Sequence, residues 1–427
     1  MALDRTLAPT IKDAVDFDVK LQPYQQFKLD NGTPVYTIDA GAEEVVMVEL
    51  VFHAGNWYEE KNIVAATTNH LLKNGTKQKN AFAINEHFEF YGAYLSRACF
   101  NETATITLHC LNKHLGKLLP VVTELLTEAI FPEQELAIYQ QNQKQRLEVN
   151  LKKCDFVANR LIDEYIYGFH HPYGKYTSAA DFNSLQQQDL TDFYKQYYTQ
   201  GKCLVFVAGK FPKDIEVLLN QTLGHLPFNQ QNFPLKEIPQ VRASTKKYSI
   251  INDADSVQAA IRIGRPFPNR HHPDFPKVQI LNNLFGGFFG SRLMSNIRED
   301  KGYTYGIHSF IQNHIHDTAW LVSTEAGRDV AEATITEVYK EMALLRDELI
   351  DAEELDLVRN YMIGSLLGDL DGPFQIIARW KNYILNNLDG DYFYNSLNTV
   401  RTVTAEELQD LAKRYLNPDD FYELMVV

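Results

Sequence analysis

Ala66-Thr67-Thr68-Asn69-His70-Leu71-Leu72-Lys73-Asn74-Gly75-Thr76 is the stretch from which this chain is best read. It forms the end of a helix over residues 62–73, closed by Asn74-Gly75, a pair suited to the backbone of a helix terminus. Positions 66 and 70 stand one turn apart, and position 69 shares their face. That face therefore carries a methyl group, a carboxamide and one imidazole. Alanine offers no ligand atom, and an amide does not ionise usefully in water. Working outward, residues 45–52 (Val-Val-Met-Val-Glu-Leu-Val-Phe) read as a strand rich in β-branched residues. Before it, Asp30-Asn31-Gly32 turns a hairpin within residues 23–37. After it come an amphipathic helix over 82–92, a strand over 103–108, helices over 113–128 and 133–167, and a strand over 204–207.

The second half repeats the plan. A strand over 257–263 precedes a helix over 274–284. A strand over 318–324, helices over 328–345 and 351–368 and a final strand over 421–427 follow. Tyr197-Tyr198 lead into Leu204-Val205-Phe206-Val207 as Arg414-Tyr415 lead into Leu424-Met425-Val426-Val427. Such self-similarity points to duplication of one α/β unit. Pro227, Pro234 and Pro239 punctuate a polar stretch between the halves. The expected division is a repeat over 1–228, a linker over 229–240 and a repeat over 241–427. The expected class is α+β (α/β), each repeat a mostly antiparallel sheet covered by helices.

The 66–76 stretch resembles the H-x-x-E-H helix of the insulinase/pitrilysin-type zinc metallopeptidases, the inverzincins, followed by their K-G-T. Aligned on Gly75 and Thr76, the second histidine falls on His70, the first on Ala66 and the catalytic glutamate on Asn69. In that motif two histidines hold the zinc, which brings its bound water to a pKa of about 7, and the glutamate takes the proton. The resemblance puts the third ligand, a glutamate in active members, in the helix that opens at Phe131-Pro132-Glu133-Gln134-Glu135-Leu136. It lands on Arg146, with Glu148 two positions away as the alternative. Arginine stays charged and has no acceptor. By this alignment no zinc ligand set survives in this chain. No substitute motif replaces it: H-E-x-x-H is absent, Glu86-His87 has Ala83 where a histidine would be needed, and His170-His171 and His271-His272 each precede a proline.

A second family motif does survive. Arg298-Glu299-Asp300-Lys301-Gly302-Tyr303-Thr304-Tyr305 resembles the family's R-E-x-x-G-L-A-Y segment with identical spacing. The resemblance assigns Arg298 and Tyr305 to holding the substrate backbone and stabilising the oxyanion opposite the metal. Both are fixed donors suited to developing negative charge. The plain alternative is an Arg298 that pairs with a nearby carboxylate and a Tyr305 packed in a sheet. The preceding Gly286-Gly287-Phe288-Phe289-Gly290 is not a phosphate loop, because no G-K-[ST] follows it.

At 427 residues the chain exceeds one average core, as two repeats require. A net charge of −14 argues against a general nucleic-acid binder and fits a soluble protein with extended or basic peptide ligands. No apolar run is long enough to span a membrane, and residues 1–9 do not read as a signal peptide. Cys99, Cys110, Cys154 and Cys203 form no C-x-x-C, so a cytoplasmic location is expected. The resemblance implies a non-catalytic, substrate-binding subunit that binds no cofactor itself. A homologous partner chain would carry the zinc, and the two would close like a clam around a peptide substrate; a homodimer is also open. The alternatives are a structural or peptide-binding protein of the same fold and, further off, an autonomous peptidase using His70 with other ligands.

Overall fold

A computed structural model describes residues 12–230 and 238–427. The first repeat forms β1 (Gln25–Lys28), β2 (Pro34–Asp39), β3 (Val45–Phe52), β4 (Tyr94–Cys99), β5 (Ala104–Leu111) and β6 (Cys203–Gly209). The second forms β7 (Lys247–Ile250), β8 (Gln258–Phe267), β9 (Thr304–Asn313), β10 (Thr318–Gly327) and β11 (Tyr422–Val426). The helices of the first repeat are α1 (Val64–Leu71), α2 (Ala81–Phe90), α3 (Leu115–Glu128), α4 (Glu133–Asn150), α5 (Cys154–Tyr167), α6 (Ala179–Ser184), α7 (Gln187–Tyr194) and α8 (Ile215–Leu223). Those of the second are α9 (Phe275–Asn282), α10 (Ala331–Asp347), α11 (Ala352–Gly368), α12 (Pro373–Leu385), α13 (Gly390–Thr402) and α14 (Ala405–Tyr415). The segment over 1–9 and most of the stretch read as a linker over 229–240 lie outside the described residues.

The two sheets share one topology. Their orders are β1-β2-β6-β3-β5-β4 and β7-β11-β8-β10-β9, so the second matches the first without β1. The pairs β2/β6 and β7/β11 are parallel, and every other neighbouring pair is antiparallel. The chain thus contains two homologous α+β repeats.

The repeats exchange helices. Along β3, Val46, Val48, Leu50 and Phe52 point to the helices of their own repeat, in one core with Leu118 and Val122 of α3. Met47 and Val51, on the opposite face, pack in a core with Ile376, Ile377 and Trp380 of α12. The second sheet mirrors this: Ala260 of β8 and Leu424 of β11 pack with Ala158, Ile162 and Ile166 of α5. Burial on both faces explains why β3 reads as a nearly unbroken apolar run. Each exchanged helix carries an ion pair to the sheet it covers. Lys381 of α12 meets Glu49 of β3 at 2.8 Å, and Asp155 of α5 meets Arg262 of β8. The stretch before β1 also belongs with the second repeat, since the Trp380 indole donates to the Gln22 carbonyl at 2.8 Å. A division of the chain at 229–240 therefore separates the repeats in sequence but not in space.

The helix expected over 133–167 is broken. Lys153 leaves the helical region (φ −93°, ψ 123°) and starts α5. The break lets α4 stay on the first repeat while α5 crosses to the second. No glycine or proline marks it. Gly168 ends α5 at φ +95°, where a side chain would also lie 2.7 Å from the Val241 carbonyl.

Candidate functional site

The start of α1 is fixed by a buried carboxylate. Glu59 accepts from the Ile63 and Ala65 amides at 3.2 and 3.1 Å, two of the amides left open at the helix start, and pairs with Lys175 at 2.5 Å. Burial pushes the Glu59 carboxyl up, while Lys175 and the two amides oppose this. Ile63 itself adopts φ +65°, strained for a β-branched residue and held by these contacts.

From this start α1 presents three of the four positions the sequence singled out, and α4 carries the fourth. Ala66 is half-buried and lines a cavity of about 240 Å³ with Asn101, Asp163, Gln312 and His314, so the cavity lies between the repeats. Asn69 is buried, and its amide donates to the Thr105 carbonyl at 3.3 Å and the Tyr198 hydroxyl at 3.1 Å. It serves the packing of α1 on β5. His70 is exposed, with its ring 4.7 Å from that of Tyr139 on α4. Arg97 of β4 donates to the His70 carbonyl, capping the end of α1. Partial burial of the ring pushes the His70 imidazole down, and the charges of Arg97 and Lys73 push it further. Arg146 is exposed on α4, seven residues after Tyr139, which puts the two within about 20° on one helix face. Glu148 falls on the opposite side of α4 from Tyr139, so helix geometry removes it as the alternative third position.

These residues do not fit a zinc ion. The set offers one imidazole, no carboxylate, and Arg97, Lys73 and Arg146 as cationic neighbours, whereas a catalytic zinc needs three protein ligands. Among the described residues no group of three or more His, Cys, Asp and Glu is placed to hold a metal. Zinc loading followed by desalting is expected to leave well under one zinc per chain by elemental analysis. Retention of a full equivalent would show a ligand set elsewhere.

Arg298 and Tyr305 sit on the second repeat. Arg298 lies in the last turn of a π-wound helix, Met294–Asp300, and Tyr305 is the second residue of β9, the edge strand of its sheet. Gly302, at φ +65°, makes the turn between them. Arg298 pairs with Glu299 at 2.6 Å and lies 4.6 Å from the centre of the Phe289 ring. Tyr305 is 93% exposed, so packing in the sheet does not account for it. Among the described residues neither makes a hydrogen bond, ion pair or ring contact with α1 or α4.

A polar joint between the repeats lies beside Ala66, and no sequence motif marks it. Glu102 accepts from the Tyr173 hydroxyl and from the Ile315 amide at 3.0 Å. The Tyr173 and His314 rings stack at 4.0 Å, and Trp57 lies against His316 at 4.1 Å. These groups come from loops far apart in the chain, so no spacing reveals them. Burial pushes the Asp163 carboxyl at this joint up to about 7, opposed by the Gln312 amide and by Arg262. A carboxyl whose pKa is raised on folding holds its proton more tightly in the native state. Its contribution is complete below its unfolded value of about 4 and is lost as pH rises towards 7. Asp163→Asn is therefore expected to flatten the fall in melting temperature between pH 5 and pH 8. An unchanged slope would place that titration elsewhere.

Two family models match this chain. The model described as insulinase (peptidase family M16) matches residues 35–171, and that described as peptidase M16 inactive domain matches 184–362. The chain belongs to the M16 family. This M16 chain is 23% identical over 408 residues to the uncharacterized zinc protease YmxG of Bacillus subtilis, covering 92% of this chain and 96% of that protein. It is also 23% identical over 386 residues to the non-peptidase homolog YmxG of Helicobacter pylori, covering 87% of each. The crystal structure of a peptidase M16 inactive domain from Pseudomonas fluorescens shares the fold, with a TM-score of 0.85 and 22% identity over 94% of this chain and 98% of that one. Within the family, this chain is an M16-like protein without the catalytic set at its own zinc position. No helix of the described residues is long and apolar enough to cross a membrane.

Proposed function

We propose that this chain is the non-catalytic, substrate-binding subunit of a two-chain M16 zinc peptidase that hydrolyses extended peptides in an enclosed chamber. The observation that carries the reading is the exposure of Tyr305 on an edge strand beside Arg298, in a chain whose zinc position holds alanine, asparagine and arginine. A phenol facing solvent from an edge strand is free to meet another chain. Here it meets a homologous subunit with an intact H-x-x-E-H helix, a distal glutamate and the zinc. Arg298 and Tyr305 then direct their donors at the oxyanion, and the free edge of β9 accepts an extended peptide backbone. Four unpaired cysteines fit a reducing, cytoplasmic setting for the pair.

The test is reconstitution. The chain is purified alone, mixed with a homologous chain bearing H-x-x-E-H, and assayed on quenched fluorogenic peptides. Hydrolysis by the mixture, with neither subunit active alone, is the expected result. A partner equally active without this chain would refute the shared site, and hydrolysis by this chain alone would refute its non-catalytic role.

A further inference from the structure

A cavity of about 620 Å³ opens in the second repeat among α9, α11, α12 and α13, away from α1 and from β9. Its charged lining is Arg270, Arg379 and Asp369, so two guanidiniums face one carboxylate. Asp369 pairs with Arg379 at 3.0 Å. Among the described residues Arg270 has no carboxylate partner: its Nη1 donates to the Asn382 side-chain oxygen. The Nε atoms of both arginines are buried and make no hydrogen bond. Among the described residues Nη2 of Arg270 makes no hydrogen bond and is not buried, which leaves one charged donor for a carboxylate. Burial pushes the pKa of Arg270 down, opposed by Tyr392 and Tyr383, with a smaller downward push from Arg379. An uncompensated guanidinium in such a place is costly until an anion meets it. The remaining walls are mixed: Gln279, Asn283, Gln375 and Ser396 are polar, while Met362 and Leu366 of α11 and Phe393 and Leu397 of α13 make an apolar patch. A volume of this size is ordinary for a small-molecule site.

We propose that this cavity binds a small monocarboxylate with an apolar body, its carboxylate on Arg270 and its body among the side chains of α11 and α13. One uncompensated positive charge matches one negative charge. Asp369 beside Arg379 repels a dianion such as inorganic phosphate. The site is independent of the peptidase reading, since none of its residues lies on α1, α4 or β9.

The test uses the full chain in calorimetric titration and thermal-shift assays with octanoate, 3-phenylpropionate and N-acetylphenylalanine. Their carboxamides and inorganic phosphate serve as controls. At least one acid is expected to bind saturably and raise the melting temperature, with its amide weaker by about tenfold or more, the worth of one charge-assisted hydrogen bond. Arg270→Gln is expected to lose a similar factor. Should that variant fail to fold, Ala378→Phe, at an exposed position on the cavity lining, is expected to block the acid by bulk. The proposal is overturned if none of the acids binds, if acid and amide bind equally, if phosphate binds in their place, or if Ala378→Phe leaves binding unchanged.

Discussion

Lys381→Met is expected to destabilise the chain by about 3–5 kcal/mol, the usual cost of removing one partner of a buried ion pair. The Lys381 ammonium lies 2.9 and 2.8 Å from the two Glu49 oxygens. Glu49 is only 7% exposed, and its other partner is the Thr107 hydroxyl at 3.2 Å. Removing the ammonium leaves a carboxylate in the centre of β3, between Met47 and Val51, with a single neutral donor. The same substitution also loosens α12 on the first sheet, where Ile376, Ile377 and Trp380 depend on its position. The loss is one of charge compensation more than of volume, because methionine keeps most of the aliphatic stem. Glu49→Gln in the Lys381→Met background should therefore recover a large part of it. Urea midpoints of the four chains in the double-mutant cycle measure the coupling. A cost below about 1 kcal/mol would make the pair an ordinary surface bridge, and the exchange of helices would then rest on apolar contact alone. The mirror pair has the charges inverted, with a buried Arg262 on the sheet and Asp155 on the crossing helix. Opposite signs at the two joints keep each crossing helix matched to its own sheet, since α5 placed on the first sheet would set Asp155 against a carboxylate.

What the sequence disclosed depended on how local the signal was. The hairpin, β3, α1 and the last strand were readable because Asn31-Gly32, a β-branched run and Asn74-Gly75 act over a few residues. β4 and β9 were not: β4 is of mixed burial, and β9 alternates but buries Ser309 while exposing Tyr305 and Phe310, so its apolar residues do not mark the buried face. The partner of a helix is less local still. The Ala158-Ile162-Ile166 stripe predicts a buried face, but not that the face lies on the second sheet. At the zinc position, the family resemblance placed Ala66 and Arg146, and chemistry excluded them, since ligation needs particular atoms. The role of Asn69 was not: its identity excludes a general base, but only the fold shows its amide spent on Thr105 and Tyr198. The Arg97 guanidinium at the end of α1 and the Asp163 joint depend on tertiary proximity, which spacing does not carry.

In the reconstituted pair, Tyr305→Phe is expected to lower kcat by about 100- to 1,000-fold, the usual loss on removing one oxyanion donor. Substrate affinity should change little, because that donor acts on charge that develops only in the transition state. Arg298→Ala is expected to lower kcat and raise KM together, because a guanidinium that holds the substrate backbone acts before the transition state as well. Neither loss should come from misfolding. Tyr305 is 93% exposed, and the phenylalanine keeps its ring. Arg298 pairs with Glu299, an exposed neighbour in sequence, a pair worth at most about 1 kcal/mol. Unchanged melting temperatures beside a depressed kcat therefore locate the effect in catalysis. The kinetic split also separates a composite site from simple scaffolding: a chain that only completed the chamber wall would tolerate loss of the phenol oxygen. Wild-type kcat in Tyr305→Phe would thus remove this chain from the chemistry, and the zinc-bearing subunit would then supply every donor itself.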